Sequence, residues 1–224
     1  MNREEGFNNS IFITESPIIV RRIGTNVLQS YSNLEELYSD GIKLSKYKPT
    51  DVLRFLTLNA VRNTITDNHY IVGPLYPKKD KDGNILPDDF QLVVTGKKKK
   101  NETLKKGAFR EVGEEIGLAI KHPVYLQNKT KINKHTFFSC DIDNTVNIQY
   151  DKINKIYVPR YPYNFSRDDF SGRIGCVIYG TEESVFRYMV SDIVQWYNED
   201  DIIGVVAVPY MEAISLLLDV PSIE

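Results

Sequence analysis

Between Gly96 and Leu118 the chain reads GKKKKNETLKKGAFREVGEEIGL. Glu111, Glu114 and Glu115 recur there at the helical spacing i, i+3, i+4, so on an α-helix three carboxylates share one face. Like charges crowded in this way repel one another. A stable helix accommodates them most readily when a cation sits among them, and carboxylate oxygens are the ligands preferred by Mg²⁺ or Mn²⁺. Phe109, Val112 and Ile116 fall on a different face, an apolar stripe that can seat the helix on a core. Arg110 stands next to Glu111 and can pair a carboxylate, fixing the geometry of the set. Glu102 lies at the helix entrance, where the macrodipole favours an acid. Gly117 supplies the usual stop.

The segment resembles the Nudix box, G-x5-E-x7-R-E-U-x-E-E-x-G-U with U aliphatic. Gly96, Glu102, Arg110, Glu111, Val112, Glu114, Glu115, Gly117 and Leu118 stand at its fixed positions. An exposed charged helix, the plainer reading of an acidic cluster, requires neither the flanking glycines nor the arginine. The resemblance implies a hydrolase of phosphoric anhydride bonds that needs Mg²⁺ or Mn²⁺. By the same resemblance Glu111, Glu114 and Glu115 are metal ligands, joined by the backbone carbonyl of Gly96. Arg110 orients them through Glu102, and Glu111 is the candidate general base. Many members add a carboxylate just before the last core strand. Glu199, Asp200 and Asp201 precede Ile202–Val208 here, with Asp201 preferred, while Glu182 and Glu183 are weaker alternatives. One departure stands out. Many members carry Pro-Gly-Gly or Gly-Gly where this chain has Val94-Thr95-Gly96.

Lys97–Lys100 lead from Gly96 toward the helix N-terminus, whose free N–H groups also favour anions. Lys97 and Lys98 are therefore candidates for a substrate phosphate, although lysine runs are more often solvated loops. Arg21-Arg22 can contact a polyphosphate but fit surface charge better. His69, His122 and His135 are scattered without metal-ligand spacing and fit structural roles. Cys140 and Cys176 are too few for a metal knuckle, and free thiols are the default. Tyr157, Tyr161, Tyr163, Phe165 and Phe170 can stack on a base or simply pack down their own loop.

The 224 residues are 42% hydrophobic and 26% charged, an ordinary balance for a globular chain. No apolar run approaches the ~20 residues that span a bilayer, and polar Met1–Ser10 carries no signal-peptide pattern. A soluble, cytoplasmic protein is expected. The abundance of Asn, Ile, Lys and Tyr hints at an AT-rich genome such as that of a virus or parasite, and a viral origin would place the chain in host cytoplasm. A net charge of −2 gives no global attraction to nucleic acid.

Strand patterns are expected at Pro17–Ile23, His69–Tyr76, Phe90–Thr95, His122–Asn128, Thr136–Ile142, Arg173–Gly180 and Ile202–Val208. Leu34–Tyr47 and Thr50–Asn63 read as helical or irregular pieces, with Asp51 a plausible N-cap of the second, and helical patterns cover Thr103–Ile116, Val185–Tyr197 and Tyr210–Leu218. Asp82-Gly83 marks a turn. The element order is similar to the Nudix α/β/α sandwich with a mixed sheet. This implies an α/β domain at 68–224, an N-terminal extension at 1–67 packed on or flanking it, and an insertion near 143–172. Substrate classes left open are capped mRNA (viral decapping enzymes are similar in the box and in added segments), small nucleotides and inositol pyrophosphates. The small nucleotides comprise dNTPs, nucleotide sugars and dinucleoside polyphosphates. A ligand-sensing module without hydrolysis is the non-enzymatic alternative, and a homodimer is compatible with the resemblance.

Overall fold

A computed structural model describes residues 16–25, 27–45, 48–148, 172–191 and 202–219. Its strands are β1 (Ile18–Arg22), β2 (Leu28–Tyr31), β3 (Ile42–Leu44), β4 (His69–Lys79), β5 (Ile85–Phe90), β6 (Val94–Lys97), β7 (Leu118–Ile120), β8 (Gln127–Ile132), β9 (His135–Asp141), β10 (Thr145–Asn147), β11 (Arg173–Thr181) and β12 (Gly204–Pro209). Its helices are α1 (Leu34–Ser39), α2 (Pro49–Val61), α3 (Leu104–Ile116), α4 (Glu182–Met189) and α5 (Tyr210–Asp219). The main sheet runs β2-β1-β12-β4-β11-β9-β8, with β5 joining β4 to β3 and β6 pairing β11. It is mixed and largely antiparallel, with parallel pairs at β11–β9 and β3–β5. β7 and β10 form a separate two-stranded sheet.

Strand alternation divides the apolar residues between two faces. Ile18, Val20, Ile71, Val177, Tyr179, Val206 and Val208 pack with Val52, Phe55 and Leu56 of α2 and with Ala213, Leu216 and Leu217 of α5. Ile19, Tyr70, Val72, Cys176, Ile178, Val205 and Ala207 pack with Phe109, Val112 and Ile116 of α3 and with Val185, Tyr188 and Met189 of α4. Helices therefore cover both faces of the central strands. Near-continuous apolar runs in β11 and β12 follow from burial on both sides.

One crossing controls the position of β6. β4 pairs β11 at His69–Val72 and β5 from Leu75 onward, so the sheet forks at Gly73. A Cβ on Gly73 would lie 1.6 Å from the Gln91 carbonyl oxygen, and the Gln91 N–H donates to the Pro74 carbonyl at 3.1 Å. Only glycine permits this approach. The crossing breaks the apolar run Phe90–Thr95, expected as one strand, into the end of β5 and the start of β6. β6 then enters the gap beside β11 and sets Gly96 opposite Ile174.

Other local differences have equally direct causes. Residues 18–61, expected as an extension, place β1 inside the main sheet next to β12 and send Phe55 and Leu56 into the shared core. Asp51 is not the N-cap of α2. Lys48 takes that position in a left-handed conformation, and Asp51 is buried one turn in, accepting from Asn133 Nδ2 at 2.7 Å. Arg21 is buried as well, and its Nη1 donates to the Met189 carbonyl at 2.7 Å and to that of Ser191, capping the C-terminal end of α4. Of Leu34–Tyr47, read as helical or irregular, the first part is helix as far as Ser39, and Gly41 then turns the chain into β3. Of the insertion near 143–172, residues 143–148 and 172 are described, with β10 pairing β7. The aromatic residues Tyr157–Phe170 lie outside the described residues. No described helix is long and apolar enough to cross a membrane.

Candidate active site

α3 begins at Thr103, whose Oγ1 accepts the Lys106 N–H at 3.1 Å, and ends at Gly117 in the left-handed region (φ 69°). Both caps satisfy groups a helix end leaves open. Leu104, Ala108, Phe109, Val112 and Ile116 are fully buried against the sheet. Each large apolar side chain in that stripe contributes about 1.5–3 kcal/mol through burial. The stripe fixes the rotation of the helix, and the rotation aims the acidic face at β6.

Arg110 is the hub of that face. Its Nε and Nη2 grip Glu102 side-on, at 2.8 Å to Oε1 and 3.1 Å to Oε2. Nη1 donates to Glu111 Oε1 at 2.7 Å and Glu114 Oε2 at 2.9 Å, and Nη2 also donates to the Lys97 carbonyl at 3.0 Å. These contacts use all five guanidinium N–H donors. Burial raises the proton affinity of Glu102, but Arg110 and the Lys99 N–H outweigh it and hold the carboxyl below its usual range. Burial alone would lower the Arg110 pKa, whereas Glu102 and Glu111 raise it above the ordinary value.

Glu111, which is buried, and Glu115, which is half-buried, behave oppositely. Burial pushes Glu111 upward, and Arg110 only partly offsets it. Glu115 is pushed well above the carboxylate range, first by burial and then by the Glu111 charge, despite hydrogen bonds from Tyr76 and the Thr95 N–H (3.3 Å). Gly96 explains how closely these groups gather. A Cβ there would lie 1.9 Å from Glu111 Cδ, so the carboxyl of Glu111 rests directly on the Gly96 backbone.

The structure therefore brings together Gly96, Glu102, Arg110, Glu111, Glu114 and Glu115. Asp201, with Glu199 and Asp200, lies outside the described residues. Glu182 and Glu183 sit in the first turn of α4. Lys97 contributes its carbonyl to the hub, but its side chain leaves β6 on the face opposite that of Gly96. Lys98 uses its N–H on the Gly172 carbonyl at 3.3 Å. Lys99 Nζ lies 4.0 Å from Glu114 Oε1. Two contributors had no sequence signal as site residues. Thr95 acts through its backbone, and Tyr76 comes from a distant strand.

Among the described residues, no three His, Cys, Asp or Glu side chains are gathered in a metal-holding group. Arg110 holds one oxygen each of Glu111 and Glu114 in this arrangement. The donor set nevertheless fits Mg²⁺ or Mn²⁺ in its chemistry. It is all oxygen and anionic, and the Glu111 charge, with that of Glu114, raises the proton affinity of Glu115. A divalent ion would relieve that repulsion. Compared with family models, curated proteins and solved structures, the chain matches none of them.

Proposed function

We propose that this chain is a Mg²⁺- or Mn²⁺-dependent hydrolase of the Nudix type, cleaving a phosphoric anhydride bond in a nucleoside-diphosphate-linked substrate. The 5′ cap of mRNA is the first candidate, ahead of small nucleotides and inositol pyrophosphates. The observation that carries the reading is the five-bonded Arg110, which ties Glu102, Glu111 and Glu114 to the strand that ends at Gly96 and Lys97. A structural ion pair would need one carboxylate. Here one guanidinium organises three, beside a fourth whose charge is disfavoured by burial. Helices on both faces of a mixed sheet agree with the Nudix sandwich.

In this reading Glu111, Glu114 and Glu115 hold the metal, with the Gly96 carbonyl available beside them. Bound there, the ion would neutralise phosphate oxygens and lower the pKa of water. Arg110 keeps the carboxylates oriented before substrate arrives, so little reorganisation is needed. Glu111 is the general base. Its Oε1 is committed to Arg110, which leaves Oε2 to take the proton, and burial raises its proton affinity above the ordinary value. Tyr76 and the Thr95 N–H orient Glu115. Asp201 remains a candidate additional carboxylate.

The test is a hydrolysis panel with Mg²⁺ and with Mn²⁺, resolving products from capped RNA, dNTPs, nucleotide sugars, dinucleoside polyphosphates and inositol pyrophosphates. Release of m⁷GDP decides for decapping. One observation favours a second reading, a ligand-sensing module: Arg110 already occupies Glu111 and Glu114. Silence across the panel would support that reading and remove the hydrolase.

A further inference from the structure

Val94-Thr95-Gly96, where many box members carry Gly-Gly, begins β6 just after the chain crosses over from β5. The crossing is anchored at Gln91. Its carbonyl oxygen fills the space that Gly73 leaves by lacking a Cβ, and its N–H donates to the Pro74 carbonyl at 3.1 Å. The main chain of Gln91 is therefore fixed on β4, a strand of the central sheet. Its side chain reaches forward along the chain, where Gln91 Oε1 accepts from Thr95 Oγ1 at 3.1 Å. That bond closes residues 91–95 into a loop across the break between the two strands. Glycine at position 95 has no hydroxyl to make it and has more backbone freedom to lose.

The main chain of Thr95 faces the acids. Main-chain groups alternate between the two edges of a strand. Lys98 turns its N–H to the β11 side, donating to the Gly172 carbonyl at 3.3 Å. Thr95 and Lys97 use the other edge, where the Thr95 N–H donates to Glu115 Oε2 at 3.3 Å and the Lys97 carbonyl accepts from Arg110 at 3.0 Å. Glu115 is the one acid of the cluster that Arg110 does not hold: the guanidinium reaches Glu102, Glu111 and Glu114. Glu115 is thus oriented from outside its own helix. At 3.3 Å its bond to Thr95 stands just beyond the usual N–H···O range. A shift of β6 by a few tenths of an ångström decides whether it is kept, and Gln91 is the side chain that holds Thr95 in place.

We propose that Gln91 is a positioning residue of the acidic site: through the Thr95 hydroxyl it holds the Thr95 N–H against Glu115 and so presets that carboxylate for a divalent cation. The task of Glu115 toward the cation rests on the hydrolase reading, whereas the coupling from Gln91 through Thr95 to Glu115 does not. Groups standing behind a ligand orient it before the metal arrives, and their loss weakens metal binding without removing a ligand. A glutamate needs such help, because its free side chain samples many rotamers. Gln91 contacts Thr95 and not Glu115, so any effect of Gln91 on the cation must pass through position 95.

The test is Mn²⁺ binding to the full chain, read by electron paramagnetic resonance of free Mn²⁺, with hydrogen exchange of the amide at position 95 and melting curves, both in EDTA. Thr95→Val keeps the β-branched shape and removes the hydroxyl. It should weaken Mn²⁺ binding about fivefold, the effect of losing one neutral hydrogen bond, and speed exchange at position 95. Gln91→Ala should do the same, and the double variant should lose no more than either single one, since all three break the same bond. Thr95→Ser keeps the hydroxyl and should stay within about twofold of the parent. If Gln91→Ala does not fold, Thr95→Val against Thr95→Ser decides. Parental Mn²⁺ affinity in folded Thr95→Val overturns the proposal, even where the melting temperature falls, because the bond is then structural only. Additive losses in the double variant overturn it as well. The expected pattern together with silence across the hydrolysis panel keeps the positioning role and removes the hydrolase. Divalent-dependent hydrolysis with Mn²⁺ affinity indifferent to Thr95→Val removes the positioning role alone. A parent that binds no Mn²⁺ overturns both.

Discussion

The two faces of the β6–β11 pair handle charge in opposite ways. On the α3 face, Arg110 spends all its donors on three acids and a carbonyl, and the remaining acid, Glu115, is half-buried with its charge disfavoured. On the α2 face, Lys97 stands opposite Arg173, and Arg173 stands opposite His135. The first face is part-buried and internally organised around one guanidinium, while the second sets two basic residues opposite each other across a strand pair. The difference teaches that one short strand can separate two charge environments, since Gly96 and Lys97 are adjacent and face opposite ways. A preorganised acidic cluster suits chemistry on a small group.

The largest effect should come from removing the hub. Arg110→Ala leaves Glu102 and Glu111 buried without their partner, and breaking such a set costs about 3–5 kcal/mol. Chemical denaturation should show that loss, and Arg110→Lys should recover little of it because an ammonium cannot make the side-on grip. Gly96→Ala should separate stability from activity. The new Cβ collides with a side-chain carboxyl and not with backbone, so Glu111 is pushed aside at a cost of about 1 kcal/mol. Displacing it should lower kcat by about 10²-fold. Melting curves together with kinetics would resolve the two.

A pH series in chelator tests the electrostatics of the acidic face. Glu115 and Glu111 are raised, so the folded protein binds their protons more tightly than the unfolded chain does. Their contribution is fully present below the ordinary carboxylate pKa and is lost as pH rises through the folded values. Glu102 has the opposite sign: its contribution is present above the ordinary value and is lost as pH falls through its depressed one. Thermal melts should therefore show stability rising on acidification from neutrality, then falling at lower pH. Glu115→Gln should flatten the rise. The smallest effect is expected on the basic face. Lys97→Gln replaces an exposed charge at the end of β6 and should change stability by no more than about 0.5 kcal/mol, visible as a small shift in Tm.

The acidic face was almost wholly legible in the sequence because it is local. One helix carries the acids, its own arginine and its apolar stripe, and the i, i+4 spacing places them without reference to the rest of the chain. The basic face was not legible, because Lys97, Arg173 and His135 meet only through strand register. Arg21 was misjudged as surface charge for the same reason: its partners are carbonyls at the end of α4, far along the chain. β2, β3, β7 and β10 escaped notice because strands of three or four residues carry too little alternation to declare themselves. The break between β5 and β6 was hidden inside an unbroken apolar run. Its cause is Gly73 on another strand.

The central claim is that the acidic face of α3 is a metal-dependent hydrolytic centre. The most direct measurement is turnover of the hydrolysis panel by the intact chain and by Glu115→Gln, with Mg²⁺ or Mn²⁺ limiting, alongside melting curves for both. The account predicts divalent-dependent release of a nucleoside diphosphate or monophosphate from at least one substrate. It also predicts a fall of about 10²-fold or more in kcat for Glu115→Gln, with a melting temperature in chelator no lower than that of the parent at neutral pH. Near-parental turnover in the folded variant, or turnover indifferent to divalent ions, would contradict it.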